Sequence, residues 1–151
     1  MQMSTISYER PGVERLNDSA AFVRWVVCEK LSSSPDPDWR ADKLKEFIDA
    51  HLAAERWSLD NVCKEIGLAM SARQARRLFK ASIGMSVRKY AKNRRLAFAA
   101  RQLEATKEPV KVIALEIGYR RTAEFTRSFK ELFHLSPLEF RRIWSHRERA
   151  A

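Results

Sequence analysis

The chain repeats itself once. Leu59-x-x-Val62-Cys63-x-x-Ile66-Gly67 is matched by Val110-x-x-Ile113-Ala114-x-x-Ile117-Gly118 at an offset of 51 residues. Phe79-Lys80 is matched by Phe129-Lys130, and Ser86-Val87-x-x-Tyr90 by Ser136-Pro137-x-x-Phe140, at an offset of 50. One residue is therefore lost between the blocks, where a turn belongs. Apolar residues three and four apart, closed by Gly, are the pattern of short helices. Each copy reads as helix, turn, helix and the start of a third. Solenoids need three or more repeats, so two copies predict a bilobed, all-α unit.

Residues 86–106, SVRKYAKNRRLAFAARQLEAT, join the copies. They contain no Pro or Gly and are rich in Ala, Arg, Lys, Leu and Gln, which predicts one long helix. About 19 residues at ~1.5 Å each give roughly 28 Å, close to one turn of B-DNA at about 34 Å.

Charge supplies the partner class. Of a net +10, residues 1–40 contribute −1 and residues 41–151 contribute +11. No carboxylate lies between Glu65 and Glu104, whereas ten Lys and Arg fall from Arg73 to Arg101. A face that is merely solvated gains by mixing signs, so this excess points to a polyanion. Cys28 and Cys63 with three scattered His make neither a disulfide framework nor a zinc site. No metal or cofactor is expected. No apolar run is long enough to span a membrane and no signal-peptide pattern opens the chain, so a cytoplasmic protein is expected.

Residues 1–39 read as an N-terminal extension. Within it, Ser19 can cap a short apolar helix over 20–31, AAFVRWVVCEKL, followed by a Ser/Pro/Asp linker. That helix is either a strap packed on the domain behind it or a face for a partner. A helix over 42–54 places Leu44, Phe47, Ile48, His51 and Leu52 on one side. Further helices are expected from a Ser58 cap to Gly67, from a Ser71 cap through 72–82 to Gly84, from Pro109 in a first turn to Gly118, from a Thr122 cap through 123–133, and over 138–146. Leu78, Phe79 and Ile83 are expected to point inward. Cys63 stands where Ala114 stands in the second copy, so a small buried residue is expected there. His134 stands where Gly84 stands and is expected to take up the same left-handed conformation. Residues 147–151 form a tail.

The second helix of each copy carries the donors. Arg73, Gln74, Arg76, Arg77 and Lys80 load the first. Arg120, Arg121, Thr122, Glu124, Thr126, Arg127 and Lys130 load the second and its turn. Arg can pair with guanine O6 and N7, Gln with adenine, and Glu can accept from cytosine N4. A helix fits the major groove with its N-terminal residues nearest the bases. Lys80, Lys130, Ser71, Arg94, Arg95 and the helix N-termini are assigned mainly to phosphates, which position without reading sequence.

These residues resemble the DNA-binding domain of AraC/XylS-type bacterial transcriptional regulators. The resemblance runs over about Arg40 to Arg142, within a domain expected over 40–146, and rests on Ser71…Arg77-Leu78-Phe79-Lys80…Gly84-x-Ser86…Tyr90, Arg95-Leu96-x-x-Ala99, Ile113-Ala114-x-x-x-Gly118-Tyr119 and Phe125-Thr126-Arg127-x-Phe129-Lys130…Ser136-Pro137. It implies two homeodomain-like, three-helix helix-turn-helix subdomains joined by a linker helix. It implies double-stranded promoter DNA as ligand, RNA polymerase as partner, and a monomer or weak dimer with no membrane contact. Ala75 and Gln102 stand where the family usually has Leu, and Arg121 where an acidic residue is common. About 40 residues precede the domain, too few for the family's effector-sensing β-barrel, so a stand-alone regulator is expected. The rival expectation is a basic adaptor that holds DNA without reading it and docks on another regulator through 20–31. Enzymatic chemistry is not expected, because no Gly-rich phosphate loop, metal-ligand spacing or nucleophile with a His partner is present.

Overall fold

The computed structural model describes residues 23, 38–52 and 57–145, and every element among them is a helix. In order these are α1 (Trp39–Ala50), α2 (Leu59–Glu65), α3 (Ala72–Ile83), α4 (Val87–Ala105), α5 (Val110–Glu116), α6 (Thr122–Phe133) and α7 (Pro137–Ser145). The predicted helix over 20–31 lies outside the described residues except for Val23, and the tail 147–151 lies outside them altogether. Val23 is helical and buried in the core of the second lobe.

The two lobes have separate cores. The first buries Leu44 and Ile48 of α1, Val62 and Cys63 of α2, Ala75 and Phe79 of α3, and Tyr90 at the start of α4. The second buries Leu96 and Leu103 of α4 together with Ile113, Phe125, Phe129, Phe133, Phe140 and Trp144. Its rings form a continuous stack: Phe125–Phe129 at 5.5 Å, Phe129–Phe133 at 4.5 Å and Phe140–Trp144 at 5.9 Å between centroids. Tilted and edge-on aromatic pairs of this kind add about 0.5–1.5 kcal/mol each beyond their buried area. The first core has Phe79 edge-on to Tyr90 at 5.4 Å and is otherwise mostly aliphatic.

The repeat survives down to single hydrogen bonds. Gly67 (φ 71°) and Gly118 (φ 86°) both turn the chain through the left-handed region after α2 and α5. In each case the residue after the glycine donates its N–H back into the helix: Leu68 to the Cys63 carbonyl at 2.7 Å, and Tyr119 to the Ala114 carbonyl at 2.9 Å. The first turn then takes one extra residue, with the Met70 N–H bonding to the Leu68 carbonyl at 2.8 Å, before Ser71 caps α3. This is where the offset falls from 51 to 50. At the far end of α3 and α6, Gly84 (φ 77°) and His134 (φ 60°) occupy matching left-handed positions.

Several boundaries differ from the sequence expectation. α1 starts at Trp39 because the Asp38 carboxylate accepts from the Arg40 N–H at 2.9 Å and from its guanidinium at 2.7 Å, which caps the helix three residues earlier. Ser58 occupies the cap position of α2 but makes no side-chain capping bond. Asp60, in the first turn of α2, accepts from the Ala72 N–H at 2.8 Å and ties α2 to the first turn of α3. Pro109 is the cap residue of α5 and not its first turn. Thr122 is the first residue inside α6, and the cap is Arg121, with no side-chain bond. The offset of 50 carries the Ser71 position onto Arg121, so register overrides the better capping chemistry of Thr. Leu78, expected to point inward, is half-buried, one position off the Ala75–Phe79 line.

α4 is shared by both lobes. It packs on α1 and α3 at one end and on α5, α6 and α7 at the other. Ser86 caps it, its hydroxyl accepting from the Lys89 N–H at 3.3 Å. At mid-helix, Arg94 reaches back to Asp49 of α1 (2.6 Å), which also accepts from the Tyr90 hydroxyl, while Lys92 pairs with Glu131 of α6 (3.0 Å). Between these two residues, Asn93 is 5% exposed and its Nδ2 has no hydrogen-bond partner.

Candidate nucleic-acid interface

α3 turns Ala72, Ala75 and Phe79 into the first core, and this puts Arg73, Gln74, Arg76, Arg77 and Lys80 on its exposed side. α6 does the same in the second lobe. Phe125, Phe129, Leu132 and Phe133 face inward, Arg120, Arg121, Glu124, Arg127 and Lys130 are exposed, and Thr122 and Thr126 are half-buried. Among the described residues, none of the Arg and Lys side chains on these two faces is in an ion pair. Each face thus carries a net positive charge, although Glu124 shares the α6 face and Glu139 lies close enough to Lys130 to feel its charge.

Three side chains depart from the simple picture. Gln74 belongs to a capping box: its Oε1 accepts from the Ser71 N–H at 2.9 Å while the Ser71 hydroxyl accepts from the Gln74 N–H at 3.3 Å. Its carboxamide oxygen is turned to the helix end, so reading adenine requires this side chain to swing outward. Arg94 is held by Asp49 inside the molecule and is half-buried, so its first role is to fix α4 against α1. Arg95 is half-buried, with its Nε on the Ala91 carbonyl at 3.4 Å. A methyl group built on Gly118 would lie 3.8 Å from its Nη1, which places the guanidinium beside the second turn.

Beside α3 lies an open groove of about 890 Å³, walled by the end of α1, residues 57–59, α3 and the first turns of α4. Arg76, Arg77, Lys80, Arg88 and Arg95 line it, and no carboxylate does. Arg88 joins the expected residues here: it sits inside the ten-cation run, and only the packing of α4 on α3 brings it to this side. Cys63 is fully buried, and burial next to Asp60 pushes its thiol above the ordinary range, so it is an unreactive packing residue. His51, expected on the apolar face, is exposed at the end of α1, stacked on Phe47 at 4.1 Å with Nδ1 2.8 Å from the Phe47 carbonyl. Among the described residues no group of His, Cys, Asp or Glu is arranged to hold a metal ion, and no helix is long and apolar enough to cross a membrane.

The family profile described as "Helix-turn-helix domain" matches residues 51–143. The Salmonella typhimurium regulatory protein SoxS is 32% identical over 98 residues, covering 65% of this chain and 89% of SoxS. A Chromobacterium violaceum transcriptional regulator described as an AraC-type DNA-binding domain-containing protein superposes with a TM-score of 0.64 at 26% identity, over 74% of this chain and 95% of that one. The chain belongs to the AraC-type helix-turn-helix family. The arabinose operon regulatory protein of Salmonella typhimurium is 28% identical over 116 residues, which is 77% of this chain but 40% of that longer relative. The AraC-type domain accounts for the geometry: α2–α3 and α5–α6 are its two helix-turn-helix units, and α4 is the helix between them.

Proposed function

We propose that this AraC-type protein is a sequence-specific transcriptional regulator that places α3 and α6 in successive major grooves of promoter DNA. The observation that carries the proposal is the pair of matching helices, each with an exposed and unpaired cationic face, at the two ends of a 19-residue helix. The names of its relatives, regulatory proteins and transcriptional regulators, support the same class. Arg73, Arg76 and Arg77 read one groove, with Gln74 once released from its cap. Thr122, Glu124, Thr126 and Arg127 read the next. Lys80, Lys130, Arg120, Arg121, Arg95 and the Ser71 helix end hold phosphates. Residues 40–146 form the DNA-binding unit. One copy spans both grooves, so a monomer suffices. It works in the cytoplasm, meets RNA polymerase at the promoter, and performs no catalysis of its own.

The test is fluorescence anisotropy of the full chain on tiled duplexes from its own upstream region and on random duplex, at two salt concentrations. One fragment is expected to bind about a thousandfold or more tighter than random DNA. Equal affinities that collapse together with salt would leave only the phosphate term. The protein would then be a basic adaptor that does not read sequence.

A further inference from the structure

The groove beside α3 carries more than the two reading faces need. Its five cations come from two helices: Arg76 and Arg77, which it shares with the reading face, and Lys80 from α3, and Arg88 and Arg95 from α4. Among the described residues none of the five is in an ion pair. Arg88 and Arg95 are seven residues apart, so they lie on one side of α4 about 10.5 Å apart. Arg88 is exposed and Arg95 half-buried. The groove's floor is apolar, with Trp57 among its walls.

We infer that this groove seats one sugar–phosphate strand flanking the major groove entered by α3, with Arg88 as a positioning contact. The inference rests on the DNA-binding role proposed above. A single small anion is satisfied by one or two cations, and five spread along two helices suit a polyanion. A strand also alternates anionic phosphates with apolar deoxyribose edges. A cationic rim over an apolar floor matches both parts. Each strand of DNA carries one phosphate per nucleotide, about 3.4 Å of axis and a longer path along the winding strand itself, so the stretch from Arg88 to Arg95 can meet about two successive phosphates. Arg95 ends beside Gly118 in the second turn, so the strand leaving the groove heads toward the second lobe. Contacts of this kind set register and carry no sequence information.

The experiment is a salt titration of the full-length wild type, Arg88→Gln and Arg88→Lys, read by anisotropy on the tightest-binding upstream fragment and on random duplex. Arg88→Gln is expected to weaken both duplexes by the same factor. It should flatten the slope of log K against log salt by about 0.9, so the affinity lost between about 50 and 200 mM salt shrinks about threefold. Arg88→Lys keeps the charge and is expected to restore the slope. Neutral methylphosphonates placed singly along the strand give a second measure: at the phosphate that Arg88 meets, the substitution should weaken the wild type clearly more than it weakens Arg88→Gln. A wild-type slope in Arg88→Gln, or a methylphosphonate scan identical in both proteins, overturns the inference. Loss of preference for any fragment in the wild type would instead sink the sequence-reading role, while the slope on random duplex would still judge Arg88.

Discussion

Asn93 sits at the point where α4 passes from one core to the other, 5% exposed, with its Nδ2 unpaired. A buried donor without a partner costs roughly 1–3 kcal/mol, more than one surface ion pair returns. Leu has nearly the same size and no donor. Asn93→Leu is therefore expected to raise the free energy of unfolding by about 1 kcal/mol, read as a higher urea midpoint at unchanged slope. A lower midpoint would mean that a buried water satisfies the amide. Arg77 lies at the opposite extreme, exposed and unpaired on the face of α3. Arg77→Ala should leave stability within about 0.5 kcal/mol, cost roughly 1–3 kcal/mol of specific binding and relax the preference at one base pair. Selection of binding sites from a randomised duplex pool measures that relaxation. An unchanged affinity and preference would remove Arg77 from the reading set.

At the scale of the element, the two recognition helices solve the same problem differently. α3 begins with a capping box, Ser71 with Gln74. α6 has Arg121 at the equivalent position and no side-chain cap, although Glu124 stands at the place from which a carboxylate completes such a box. Arg121→Ser is expected to stabilise the fold by up to about 1 kcal/mol. It should also weaken DNA binding, because it removes a cation and draws Glu124 back to the helix end. Urea melts and anisotropy on the same sample check both signs, and a variant that gains neither stability nor loses affinity would count against this trade. Ser71→Ala should cost about 1 kcal/mol of stability, which gives the scale for comparison. These helix ends also show what the sequence made legible. The repeat disclosed the lobes, the turns, the long helix, the left-handed His134 and the buried place of Cys63, because each follows from backbone register. Caps were less legible. Asp38 looked like linker, and Thr122 looked like a better cap than Arg121. The partners of long charged side chains were not legible at all. Nothing in the local sequence ties Arg94 to Asp49, 45 residues away, or turns Arg88 toward α3.

For the whole molecule, α4 fixes the distance between the reading faces. Its 19 residues span about 28 Å, and Arg94–Asp49 and Lys92–Glu131 pin its middle to α1 and α6. The two half-sites should therefore be centred 10–10.5 bp apart, about one helical turn. An insertion of about 5 bp between them rotates one half-site to the far side of the duplex. Affinity should then fall to that of a single half-site, and an insertion of about 10 bp should not rescue it, because α4 cannot lengthen. Band-shift titration of the three duplexes decides this. Equal binding to all of them would show that the lobes move independently.

The shared helix also bears on how the protein holds together over time. Tyr90 and Ala91 wall one core, and Leu96, Ala97, Ala99, Ala100 and Leu103 wall the other. If either half melts, the helix begins to fray from that end, and the surviving half starts to lose part of its own wall. Although built as a duplicate, the molecule is expected to unfold in a single transition, and two steps in a urea melt would show that the halves are uncoupled. A cut between Ala91 and Leu96 would leave each core its own wall of α4 but would turn that wall into a fraying helix end, so it is the unbroken helix that couples the two copies.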